Sequence, residues 1–121
     1  MAHTTLSNYL KNIEIVETMA DHYKFKCVFV WQPTVMAGDK PLTREEEGLR
    51  VSEEKANPGS EQLFRATYQL ARQITRPDFF YLGDVFGDRQ ETIYADFSHP
   101  GPSGNQLVAT RMFEVLQQQG H

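Results

Sequence analysis

The sequence predicts an α/β layer fold with a short parallel sheet, and two observations carry that prediction. An amphipathic helical segment runs directly into a continuously apolar stretch, KFKCVFVWQPT. A second helical segment runs into a second such stretch, PDFFYLGDVFG. A helix followed by a strand apolar on both faces is half of a βαβ unit, whose parallel sheet is covered by helices.

Each element has a local reason. Leu6, Tyr9, Leu10, Ile13, Val16 and Ala20 recur at spacings of three and four, with Lys11, Asn12, Glu14 and Glu17 between them. Residues 6–22 therefore form a helix with one buried face. Residues 27–31 are apolar and bulky, and Pro33 stops them, as expected of a short strand buried on both faces. Thr43 followed three residues on by Glu46 is a capping-box pattern, which starts a helix near Arg44. The acidic run Glu45, Glu46, Glu47 suits the positive end of the helix dipole and reads as a solvated first turn.

Asn57-Pro58-Gly59 is a turn, after which Ser60 caps a helix to about Thr75. Its apolar face holds Leu63, Ala66, Leu70 and Ile74, with Phe64 and Tyr68 alongside, and Arg76-Pro77 ends it. Residues 80–82 are the core of the second strand. The last helix starts near Ser103 and turns Leu107, Val108, Met112, Val115 and Leu116 inward. The order is α-β-α-α-β-loop-α, without internal repeats. Only two strands emerge, so both sheet edges need cover, and a dimer is the expected state.

Composition bounds the function classes. The 121 residues make one domain or part of one, and the 40% apolar content is that of an ordinary globular chain. Twelve basic against 16 acidic residues give a net charge of -4 without a long block of either sign. That balance offers no footprint for nucleic acid or an anionic membrane. No stretch reaches the length of a membrane span, and the N-terminal residues lack the apolar core of a signal peptide. Cys27 is the only cysteine, set in an apolar run where a buried, inert thiol is expected. Trp31 and its aromatic neighbours read as core rather than substrate platform. His3, His22 and His121 are scattered, the first and last at fraying ends. No cofactor is expected. A zinc site from Asp84, Asp96 and His99 lacks a third ligand with convincing spacing, so no metal is expected either.

The candidate chemistry lies in YADFSHPGPSGNQLVA, residues 94–109. Two residues separate Asp96 from His99, which lets a loop bring the side chains within hydrogen-bond reach. A carboxylate on one imidazole nitrogen fixes the tautomer, leaving the other to take a proton from a serine hydroxyl. The pair follows a buried strand and opens a helix at Gly104-Asn105. In α/β sheets, sites form in the loops beyond the carboxyl ends of strands.

The block D-F-S-H-x5-N-Q-L-V-A, Asp96 to Ala109, resembles the last motif of the SGNH (GDSL-type) hydrolases. In that family an Asp and a His with the same separation precede a Gly-Asn helix start. The strand ending Trp31-Gln32-Pro33 agrees with it. So do the Lys40-Pro41-Leu42-Thr43 step before an acidic helix and the strand end Tyr81-Leu82-Gly83-Asp84-Val85-Phe86. The resemblance spans nearly the whole chain. It implies a flavodoxin-like three-layer α/β/α fold of which residues 1–121 are the C-terminal portion. It further implies a serine esterase or acetylhydrolase acting on a small ester or acylated carbohydrate, with Asp96 as orienter and His99 as general base and later acid.

The departures are specific. The family's Gly-Asp-Ser nucleophile is missing: Gly38-Asp39, Gly83-Asp84 and Gly87-Asp88 are followed by Lys40, Val85 and Arg89. The oxyanion-hole Gly and Asn blocks are missing too, and no G-x-S-x-G elbow replaces them. Ser7, Ser52, Ser60 and Ser103 sit in caps and loops, and Ser98 is expected to point away from its neighbour His99. Pro100, Gly101 and Pro102 replace the usual approach to the helix, a substitution expected to stiffen the loop. Two function classes follow: an esterase part that is inactive until a serine is supplied, and a non-catalytic α/β module that completes its sheet by self-association or with a partner chain.

Overall fold

Helices and strands fall in the expected order in a computed structural model, which describes residues 1–120; His121 lies outside them. Helix α1 (Ala2–Tyr23) leads to strand β1 (Phe29–Trp31), helices α2 (Arg44–Ala56) and α3 (Ser60–Arg72), strand β2 (Phe79–Tyr81) and helix α4 (Pro102–Gln118). Helix α1 begins four residues earlier than its apolar periodicity, so His3 sits in a helical turn. It ends where Lys24 enters the left-handed region at φ 60°.

The capping box at Thr43 forms: its hydroxyl accepts from the Glu46 N–H while the Glu46 carboxylate accepts from the Thr43 N–H. Ser60, by contrast, does not cap α3. The Glu54 carboxylate does that work from the end of α2, accepting from the N–H groups of Gly59 (2.8 Å) and Glu61 (2.9 Å) and from the Ser60 hydroxyl. A carboxylate at a helix N-terminus satisfies orphan donors and matches the dipole. Helix α3 stops at Arg72, short of the expected Thr75.

The two strands pair in parallel, with Phe29 opposite Phe79, Val30 opposite Phe80 and Trp31 opposite Tyr81. Strand alternation then sorts the contacts. Trp31 and Phe79 meet Tyr9 of α1 at ring distances of 4.9 and 6.2 Å, and Trp31 meets Tyr68 of α3 at 5.5 Å. Val30 shares a cavity of about 170 Å³ with Val108 and Met112 of α4. Residues of β1 are half-buried rather than buried as the sequence predicts, because β2 is the only strand beside it among the described residues. Cys27, just before β1, is likewise half-buried, and burial, then the charges of Asp78 and Glu17, push its thiol pKa up.

A buried apolar cluster lies beyond the carboxyl ends of the strands. Val35, Met36, Phe86, Ile93 and Tyr94 form it, flanked by Leu42, Phe64, Phe97 and Leu107 among others. Its members come from connections rather than strands. On α4 only Gly104 and Val115 are buried; Met112, expected inward, is 38% exposed and Phe113 is 61% exposed. Among the described residues, no helix is long and apolar enough to cross a membrane.

Candidate functional site

The Asp-His pair sits at the tip of a hairpin-like loop that runs from Ile93 to Gly101. The loop's base is closed by Gly101 N–H donating to the Ile93 carbonyl (2.7 Å) and by an antiparallel bridge between Tyr94 and Pro100. One step further in, Ala95 N–H donates to the His99 carbonyl at 2.8 Å. At the tip, Asp96 Oδ1 accepts from the N–H groups of Ser98 (2.8 Å) and His99 (2.7 Å). A short carboxylate that bonds the backbone two and three residues on is the turn chemistry for which aspartate is suited.

The same turn aims the imidazole. His99 Nδ1 lies 2.9 Å from Asp96 Oδ1 and 2.8 Å from Oδ2, while Nε2 has no hydrogen-bond partner among the described residues. Both side chains are open to solvent, His99 74% and Asp96 51% exposed. The Ser98 N–H, then the His99 side chain, hold the Asp96 carboxyl below the usual carboxylate range. An ionised carboxylate on Nδ1 keeps the proton there and presents Nε2 as the basic nitrogen.

Phe97, between the pair, turns the other way and anchors the tip. Its ring packs on Phe64 at 6.2 Å, and its carbonyl accepts from Thr34 Oγ1 (2.6 Å) and Val35 N–H (3.0 Å). Thr34 Oγ1 also accepts from Met36 N–H, so the segment after β1 and the dyad loop are one hydrogen-bonded unit. The Pro-Gly-Pro approach is used residue by residue. Pro100 makes the bridge, Gly101 is the N-cap of α4, and Pro102 takes the first helical position, where its missing N–H is no loss.

Gly104 is buried where the helix presses on this loop. A Cβ there would lie 2.5 Å from Ile93 Cγ2 and 2.7 Å from Pro100 Cβ.

Several expectations are corrected by the geometry. Ser98 does not point away from His99, because the chain turns around the Asp96 carboxylate instead of running extended. Its Oγ lies 3.2 Å from His99 Nδ1. That nitrogen already faces Asp96, so Ser98 is on the wrong side of the ring to be a nucleophile. Glu46 is not part of a solvated turn. It is fully buried, with Oε1 on Lys40 Nζ (2.5 Å) and Oε2 accepting from Ile93 N–H (3.0 Å) and Tyr94 N–H (3.2 Å).

Burial on its own raises the Glu46 pKa. The Lys40 ammonium and the backbone donors of Thr43, Ile93 and Tyr94 outweigh it and leave the carboxyl below its ordinary value. Asp84 does not join the pair either; Arg72 holds it in a two-point contact and lies over the Tyr81 ring at 4.8 Å. Among the described residues, no three His, Cys, Asp or Glu side chains gather as a metal would require. Trp31 sits in the aromatic cluster with Tyr9, Tyr68 and Phe79.

The sequence reading missed Lys40 and Glu46 as neighbours of the site. The capping box was visible, but it accounts for only one oxygen of Glu46. Nothing local shows that the other reaches a backbone almost fifty positions away.

Comparison of this chain with protein-family models, with curated proteins and with solved structures finds no match in any of the three.

Proposed function

We propose that this chain carries the acid–base arm of a serine esterase of the SGNH type, with Asp96 as orienter and His99 as general base and then general acid. The observation that supports this most is the contact of His99 Nδ1 with Asp96 in an exposed loop beyond the strand ends, with Nε2 unengaged. In acyl transfer, Nε2 takes the serine proton as the hydroxyl attacks the ester carbonyl. It then gives that proton to the leaving alcohol, while Asp96 stabilises the imidazolium in between. No serine in this sequence faces Nε2, so the nucleophile and the oxyanion donors come from residues outside it. The substrate class is a small ester or an acylated carbohydrate.

In this reading β1 and β2 are two strands of a larger flavodoxin-like three-layer sheet. The aromatic contacts to α1 and α3 belong to one layer and the Val30–α4 contact to the other.

The test is complementation. The chain by itself is expected to show neither turnover of a chromogenic acetate ester nor labelling by a serine-directed fluorophosphonate. Joined to a Gly-Asp-Ser-bearing N-terminal half of an SGNH esterase, it is expected to gain both. His99→Ala is then expected to abolish turnover, and Asp96→Asn to reduce it by about four orders of magnitude, the loss a wrong tautomer brings in a triad. Labelling of the chain alone, or a complemented assembly that tolerates His99→Ala, would refute the reading.

A second reading is favoured by one observation: Ile15, Met19 and Phe113 stand 59%, 49% and 61% exposed. A non-catalytic α/β module that covers them by self-association, or with a partner chain, would give a dimer by sizing chromatography and no gain on complementation.

A further inference from the structure

The most deeply buried charges in the molecule stand behind the dyad loop. Lys40 and Glu46 side chains are 4% and 0% exposed, and a buried ion pair seldom adds stability over an apolar pair of the same shape. What the pair does supply is geometry. Glu46 divides its two oxygens: Oε1 takes Lys40 and the Thr43 N–H, and Oε2 takes the consecutive N–H groups of Ile93 and Tyr94. Consecutive backbone donors aimed at one oxygen fix the conformation of the chain at that point.

That point is the first residue pair of the dyad loop. The Ile93 carbonyl closes the loop onto Gly101, and Tyr94 bridges Pro100, the neighbour of His99. Lys40 is itself seated by donating to the Pro41 carbonyl at 2.9 Å.

We propose that Lys40 and Glu46 are positioning residues for the Asp96–His99 pair, holding the loop base so that the carboxylate stays on Nδ1. The proposal rests on the acid–base reading above. A carboxylate is required because both faces of the group must accept. An amide at this position can offer its oxygen to the loop or to Lys40, not to both.

The signature is the pair of His99 ring-nitrogen shifts, seen through carbon-bound ring protons that water does not exchange, which report the preference for the ring protonated on Nδ1 that the Asp96 contact favours. It is read by nitrogen-resolved NMR on the whole chain, with no substrate or added half. Asp96→Asn is expected to abolish that preference. Glu46→Gln is expected to leave Asp96 in place yet lower the preference for the Nδ1-protonated ring by about tenfold, the effect of losing one charge-assisted anchor. Should that variant unfold because Lys40 is left unpaired, Lys40→Met with Glu46→Gln keeps shape, neutrality and an oxygen for the loop. This double variant is expected to fold and to show the same weakened preference, because the oxygen left for the loop is neutral and the amide nitrogen cannot accept from the Thr43 N–H.

A wild-type preference that depends on Asp96 but persists unchanged in folded Glu46→Gln overturns the positioning role alone. So does an unchanged preference in the folded double variant. A wild-type chain without an Asp96-dependent preference defeats the acid–base reading and the positioning with it.

Discussion

The region beyond the strand ends and the flank outside β1 are finished to different degrees. Beyond the strands, connections that would ordinarily run over the surface are buried, and their polar groups are matched one by one. Thr34 and Val35 serve the Phe97 carbonyl, and Glu46 serves Ile93 and Tyr94. Among the described residues β1 has a strand on one side only, and elsewhere helices α1 and α4 leave Ile15, Met19, Met112 and Phe113 exposed. Buried backbone needs partners or it unfolds, whereas exposed apolar side chains cost little singly. The matched polar contacts converge on one loop, and that loop is the one bearing Asp96 and His99.

The largest effect expected from breaking this contrast is that of Lys40→Ala. It leaves a buried carboxylate without its counter-charge, at a cost of about 3–5 kcal/mol. The urea midpoint should fall accordingly, and a variant as stable as the parent would show that Glu46 is not held as described.

Acid probes the same group by another route. The folded pKa of Glu46 is depressed, so its contribution is present above the unfolded value of about 4.3 and is lost as pH falls through the folded one. Stability measured by denaturant should therefore drop below about pH 4.5, and Lys40→Met with Glu46→Gln should flatten that slope.

Gly104→Ala comes next. The added methyl meets Ile93 and Pro100, and overpacking of this kind costs about 1–3 kcal/mol. Thermal melting should register the loss. Thr34→Val removes the hydroxyl from the Phe97 carbonyl for a loss of about 1 kcal/mol, and hydrogen exchange at Ser98 and His99 should rise with it.

The smallest effect belongs to the exposed apolar residues of α1 and α4. Ile15→Lys, Met19→Lys and Phe113→Glu should each stay within about 0.5 kcal/mol of the parent, while together they shift any dimer towards monomer in sizing chromatography. A large stability loss from one of them alone would mean that the residue is packed within the monomer.

What the sequence determined by itself follows from nearest neighbours along the chain. The helical period of Tyr9, Ile13, Val16 and Ala20, the Thr43–Glu46 box, the apolar runs ended by Pro33 and Gly83, and the Asp96–His99 spacing are all read within a few residues. All produce the expected local structure. Even the dyad contact was legible, because a carboxylate two intervening residues from a histidine closes its own turn.

Tertiary structure alone decided the rest. A short parallel sheet was expected, but the register that sets Phe29 opposite Phe79 and Trp31 opposite Tyr81 is encoded in no local pattern. Ser60 yielded its cap to Glu54, and Met112 faces the Val30 cavity yet stays 38% exposed. Glu46, which sequence placed in water, became the most buried charge because its second oxygen found amides on a loop 47 positions away. Burial of a charge depends on donors that converge only after folding. The partner of Glu46 could not be read from its neighbours, whereas the partner of His99 could.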